Sequence, residues 1–140
     1  MDVLVSDIMQ KNVVVANVDD SVEKIESLLV SNHISFIPTL DSDGRCFGVI
    51  SEQDIVKFHL QKGDAKFERA WEICSHNIID VYAGTSVAEA SQLIIDKKIH
   101  HIVVTENEAI VGILSSVDII EFFLNKYQLN SESACEAQFT

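Results

Sequence analysis

The chain repeats itself, and the repeat constrains its fold more than any other feature. Ser21-Val22 opens a helix-like run that returns at Ser86-Val87, 65 positions later (86 − 21). Gly48-Val49-Ile50-Ser51-Glu52-Gln53-Asp54 returns as Gly112-Ile113-Leu114-Ser115-Ser116-Val117-Asp118, 64 positions later (118 − 54). One residue has gone from the intervening turn, where Asp41-Ser42-Asp43-Gly44-Arg45 faces Glu106-Asn107-Glu108-Ala109. Two copies cannot build a solenoid array, so the pattern reads as one duplicated supersecondary unit. Two related halves packed together create two related clefts, and function is expected there.

Composition narrows the class. At 140 residues the chain can hold one core or two small halves sharing one. A hydrophobic content of 47% excludes disorder for the body of the chain. Its apolar runs are too short to cross a bilayer and no charged-then-apolar leader precedes them, so a soluble, cytoplasmic protein without membrane partners is expected. Cys46, Cys74 and Cys135 have neither disulfide-like nor metal-like spacing and read as reduced thiols. A net charge of −12 opposes attraction to nucleic acid. It leaves room for a small phosphorylated ligand, because a local donor cluster outweighs a distant screened field.

Each half reads as strand, helix, strand, tight turn, strand, helix: an α/β chain of α+β type. In the first, Val13-Val14-Val15 is a β-branched run, and Asp20 or Ser21 caps a helix bearing Val22, Ile25, Leu28 and Leu29 on one face. Phe36 to Leu40 and Cys46 to Ser51 read as a hairpin, and Ile55, Val56, Phe58 and Leu60 as the closing helix. In the second, Ile78-Ile79 opens the half and Ser86-x-x-Glu89 is a capping box before Val87, Ala90, Leu93 and Ile94. Ile102 to Val104 and Ile110 to Leu114 form its hairpin, and Val117 to Tyr127 its last helix. That helix carries Ile119, Ile120, Phe122 and Phe123 around more than half its circumference, which requires two packing partners. A deep core position and a homodimer face both fit.

The order of elements, the apolar-x-Pro step at Ile37-Pro38 and the twice-repeated Gly-apolar-apolar-Ser-x-x-Asp resemble a tandem pair of cystathionine-β-synthase (CBS) domains, a Bateman module. Ser6-Asp7-Ile8-Met9 and Trp71-Glu72-Ile73-Cys74 agree in character as opening segments. The resemblance covers roughly residues 2 to 127. It implies two pseudo-symmetric β-α-β-β-α motifs: the first domain over 1–62, a connector over 63–69, the second domain over 70–127 and a frayed tail over 128–140. It further implies a disc-shaped homodimer and two clefts for adenosine-containing ligands such as AMP, ADP, ATP, S-adenosylmethionine or NAD(H), with no required cofactor.

Ser115-x-x-Asp118 after a strand is, by its chemistry, a helix cap. The same geometry leaves free amides and the positive helix end facing a cleft, and a carboxylate there can accept both hydroxyls of a ribose. Carried over by position, the resemblance implies a first cleft in which Asn12, Val13, Ile34 and Ser35 hold adenine. Asp118 would grip ribose, with Ser115, Ser116 and His101 near phosphate. The second cleft would use Asn77, Ile78, Ile99 and His100 for adenine and Asp54 with Ser51 for ribose. Adjacent strand residues face opposite ways, so at most one of His100 and His101 is expected in a given cleft. Phe36 stands where a base would serve the second, and Val103 replaces Pro38 in the second half.

No strained nucleophile elbow, Gly-rich phosphate loop or convergent metal ligands mark an enzyme. The chain reads instead as a stand-alone regulatory sensor signalling to an effector protein in trans. The alternative is a ligand-independent homodimerising scaffold whose Ser-x-x-Asp pairs are caps only.

Overall fold

A computed structural model describes residues 2–126; Tyr127, Cys135 and the rest of the segment 127–140 lie outside the described residues. The elements are α1 (Val5–Ile8), β1 (Ala16–Asn17), α2 (Val22–Ser31), β2 (Phe36–Leu40), β3 (Cys46–Ser51), α3 (Glu52–Leu60), α4 (Ala70–Ile73), β4 (Asp80–Tyr82), α5 (Val87–Lys97), β5 (His101–Glu106) and β6 (Ala109–Ser115). A last helix, α6, runs over 116–126. The strands form two three-stranded sheets, β1-β2-β3 and β4-β5-β6. In each, the first pair is parallel and the second an antiparallel hairpin.

Local chemistry sets most boundaries. All four long helices start at a serine. Ser21 Oγ accepts from the Lys24 amide and Ser86 Oγ from the Glu89 amide, in both cases satisfying a donor that the helix itself cannot. The reciprocal half of a capping box forms at α3 and α6 instead, through Asp54 and Asp118; at Ser86 only the serine half is present. The β5–β6 turn places Asn107 and Glu108 at φ 52° and 66°, the twin positive values of a type I′ hairpin. The longer β2–β3 turn is closed by Asp41 Oδ1, which accepts from the amides of Asp43 and Arg45.

The first strands differ from the expectation. Val13-Val14-Val15 lies outside the ladder, and β1 has only two residues. Proline explains this. In the second sheet the Val103 amide donates to Ile79 O at 3.0 Å, which anchors the start of β4. Pro38 occupies the equivalent place in β2 and has no amide to give, so pairing begins only at Ala16–Thr39. Similarly, Ile78-Ile79 precedes β4, which starts at Asp80.

The halves exchange their opening segments. The Val5 amide donates to Thr85 O, and Gln10 exchanges two backbone hydrogen bonds with Ile113 of β6. Val5 is buried with Ala83, Ala90, Ile102, Val104 and Leu114 of the second half. Reciprocally, Ser75 exchanges two bonds with Val49 of β3, and Ala70 is buried with Ala16, Ile25, Leu29, Ile37 and Ile50. The repeated glycine of the sequence motif is where these segments cross. A methyl group on Gly48 would lie 2.7 Å from Cys74 Sγ and 2.8 Å from Ser75 O. One on Gly112 would strike Met9 Sδ and lie 3.0 Å from Gln10 O. Close backbone approach requires glycine at Gly48, whereas at Gly112 the nearest atoms belong to the Met9 side chain.

The last helix buries one of its apolar faces and exposes the other. Ile119 is buried in the second core, whereas Ile120, Phe123 and Leu124 are exposed. On α3, Val56 and Leu60 are exposed at the positions that match Ile120 and Leu124 (120 − 56 = 64; 124 − 60 = 64).

Candidate functional site

Two cavities open between the halves, of about 500 Å³ and about 310 Å³. Their common wall stands where the repeats meet. Phe36 and His101 are matching positions (101 − 36 = 65), and their rings stack with centroids 4.7 Å apart and planes 8° from parallel. Ser35 Oγ and His101 Nε2 share a hydrogen bond of 3.2 Å across the same junction. Burial, then the neighbouring His100, pushes the His101 imidazole below its usual 6.5, although Asp118 and Glu52 oppose the shift. The folded environment of His101 therefore favours the neutral ring.

The larger cavity gathers all eight residues expected of the first cleft: Asn12, Val13, Ile34, Ser35, His101, Ser115, Ser116 and Asp118. The smaller gathers Ser51, Asp54, Asn77, Ile99 and His100, but Ile79 lines it in place of Ile78. The chain lies outside the ladder before β4, so the alternation expected of a strand does not govern which isoleucine faces inward. His100 and His101 each line both cavities, contrary to the alternation argument. His100 precedes β5, and both residues sit at the edge shared by the two clefts.

The two carboxylates are held differently. Asp54 Oδ2 accepts from Ser51 N at 2.8 Å and Ser51 Oγ at 3.1 Å, and Oδ1 has no hydrogen-bond partner among the described residues. Asp118 Oδ2 accepts from Ser115 N at 2.9 Å, while Oδ1 accepts from Gln10 Nε2 at 3.0 Å. Asp118 is 9% exposed. Both carboxylates lie at positive helix ends, where charge is favoured.

Several lining residues escaped the sequence reading. His33 reaches the first cleft and Lys98 the second, again at matching positions (98 − 33 = 65). Both have φ 53°, a left-handed turn just past a helix end. Alignment of the repeats would have paired them; the turn is invisible in the sequence. Lys98 supplies the second cleft with a cation, and no lysine or arginine among the described residues lines the first. Gln10 was also missed, because its proximity to Asp118 depends on the exchange of opening segments.

This architecture agrees with known proteins. A CBS-domain profile matches residues 5–60 and again 70–125, most of the chain. The chain belongs to the CBS-domain family. Its two matched segments are a tandem CBS pair with the mixed α/β layout of solved CBS pairs. The CBS pair of protein MJ0100, solved with 5′-methylthioadenosine and S-adenosylmethionine, superposes with a TM-score of 0.83 at 26% identity, covering 90% of this chain and 99% of that one. CBSX2, solved with AMP, superposes at 0.77 and 22% identity, covering 89% and 98%. A homoserine O-acetyltransferase of Methanosarcina acetivorans is 28% identical over 86% of this CBS pair, which spans 22% of that protein's length. Against the first curated relatives, the chain spans between 22% and 32% of their length. No helix among the described residues is long and apolar enough to cross a membrane.

Proposed function

We propose that this CBS pair is a regulatory module that binds an adenosine-containing ligand between its repeats, and that an effector protein reads the occupied state in trans. The observation that carries the reading is the placement of Asp118 and Asp54 at helix N-termini within the two cleft walls. A ribose diol matches such a carboxylate with two charge-assisted hydrogen bonds. The adenosine ligands of the MJ0100 CBS pair support the same class here.

In the first cleft, Asn12, Val13, Ile34 and Ser35 hold the adenine and Asp118 the ribose, with Ser115, Ser116 and His101 at the 5′ substituent. With Glu52 and a His101 that favours its neutral ring in the lining, this cleft suits a weakly charged substituent, as in 5′-methylthioadenosine. In the second, Asn77, Ile79, Ile99 and His100 surround the base, Asp54 and Ser51 take the ribose, and Lys98 favours a phosphate. The matched apolar pairs Val56, Leu60 and Ile120, Leu124 are the face of a homodimer, through which ligand binding changes what the effector meets. Coupling of this kind requires the ligand to favour one arrangement over another.

Thermal melts with AMP, ADP, ATP, S-adenosylmethionine, 5′-methylthioadenosine and NADH test the reading. A ligand at about 100 times its dissociation constant adds roughly 2.7 kcal/mol, which raises Tm measurably. No shift with any of them favours a ligand-independent scaffold, a reading supported by the engagement of both aspartates in capping boxes.

A further inference from the structure

The two clefts differ at one contact. Gln10 Nε2 donates to Asp118 Oδ1 at 3.0 Å, whereas Asp54 Oδ1 has no partner among the described residues. The residue that matches Gln10 is Ser75 (75 − 10 = 65), and its Oγ accepts from the Asn77 amide instead. Gln10 is held firmly by its backbone, through two hydrogen bonds with Ile113 of 2.9 and 3.0 Å, so the side chain can move without disturbing the fold. It also has somewhere to go. Gln10 and Asp118 also line, with Val3, Ile8, Glu121 and Phe122, a further cavity of about 490 Å³ between α1 and α6.

We infer that Gln10 is a latch on the first cleft: its amide occupies the Asp118 oxygen that a ribose diol must engage, and it swings into that further cavity when a ligand enters. The inference rests on the ribose role proposed for Asp118. Opening the latch costs a hydrogen bond to a charged acceptor, and apparent affinity falls in proportion to the fraction of open molecules. A latch closed about nine times in ten weakens binding about tenfold. The second cleft carries no such cost. The latch therefore makes the clefts fill in order, the Asp54 site first for a ligand that both accept.

Gln10→Leu keeps the bulk and removes the donor; Gln10→Ala checks that bulk is not the cause. Titration with 5′-methylthioadenosine and with AMP, followed by NMR, reads the first cleft at the Ile113 and Ser115 amides and the second at Val49 and Ser51. Both variants are expected to bind at the first cleft roughly tenfold more tightly, with the second unchanged. Unchanged or weaker binding at the first cleft overturns the latch and leaves the ribose role standing. No binding there by wild type or variants overturns both. The contact itself is tested without ligand: Asp118→Asn is expected to move the Gln10 side-chain amide resonances, which donate to Asp118 Oδ1. Resonances that ignore that substitution overturn the latch by themselves.

Discussion

The Phe36 and His101 rings are the same position of two repeats, stacked 4.7 Å apart at the junction between the clefts. The repeats match at this position, and of the two rings only that of His101 is titratable. Ser35, Phe36, Glu52, His100 and Asp118 surround that imidazole from both halves.

The sign of its pH effect follows from burial. The folded state lowers the His101 pKa from 6.5, so it prefers the neutral ring. The stabilisation is complete above the unfolded value and is lost as pH falls through the folded one. Tm is expected to fall on acidification below about 6.5, less steeply in His101→Gln. Phe36→Ala opens the ring to water and moves its pKa back up, as an NMR titration of the imidazole Cε1 proton would read. If the first cleft takes an anionic ligand, that ligand favours the charged ring and its affinity rises as pH falls; pH-independent binding of such a ligand would remove His101 from contact with the 5′ substituent.

Glycine at the crossing point of β3 is a packing requirement. Gly48→Ala drives a methyl against the Ser75 carbonyl, which belongs to a paired backbone and cannot retreat. A loss of about 1–3 kcal/mol is expected by denaturant titration. Gly112→Ala meets mainly the end of the Met9 side chain and should cost less. Gly44→Ala meets open space, but its φ of 80° still strains an alanine. If Gly48→Ala proves as stable as wild type, the close crossing of β3 is wrong.

Caps and ligand contacts separate by comparing serines. Ser86→Ala and Ser115→Ala each remove an N-cap and should destabilise by about 1 kcal/mol. Only Ser115→Ala should weaken ligand binding at the first cleft, because Ser86 lies in neither cleft lining. Equal ligand responses in the two variants would reduce Ser115 to a cap.

The exposed apolar pairs predict self-association. Ile120 is 62% and Leu60 78% exposed, on matching helices. Ile120→Lys is expected to convert a dimer to a monomer in sedimentation equilibrium with little effect on the folded monomer. A wild-type chain that sediments as a monomer at high concentration would remove the homodimer.

Much of this chain is written locally. The hairpins, the helix-starting serines and the equivalence of Asp54 and Asp118 follow from residue types a few positions apart, which govern caps, turns and one-sided burial. Even the missing strand at Val13-Val14-Val15 has a local cause in Pro38, but the cause acts only once the ladder partner is known. No periodicity along the chain marks Val5 and Ala70, and each is buried in the other half.

Sequence alone therefore determined the duplicated unit, its caps and the two acidic helix ends, because these depend on spacing along the chain. Tertiary structure decided the exchange of opening segments, the approach of Gln10 to Asp118, the stacking of Phe36 on His101 and the place of His33 and Lys98 in the cleft linings. Those contacts join residues far apart along the chain, and their geometry is set by packing across the junction.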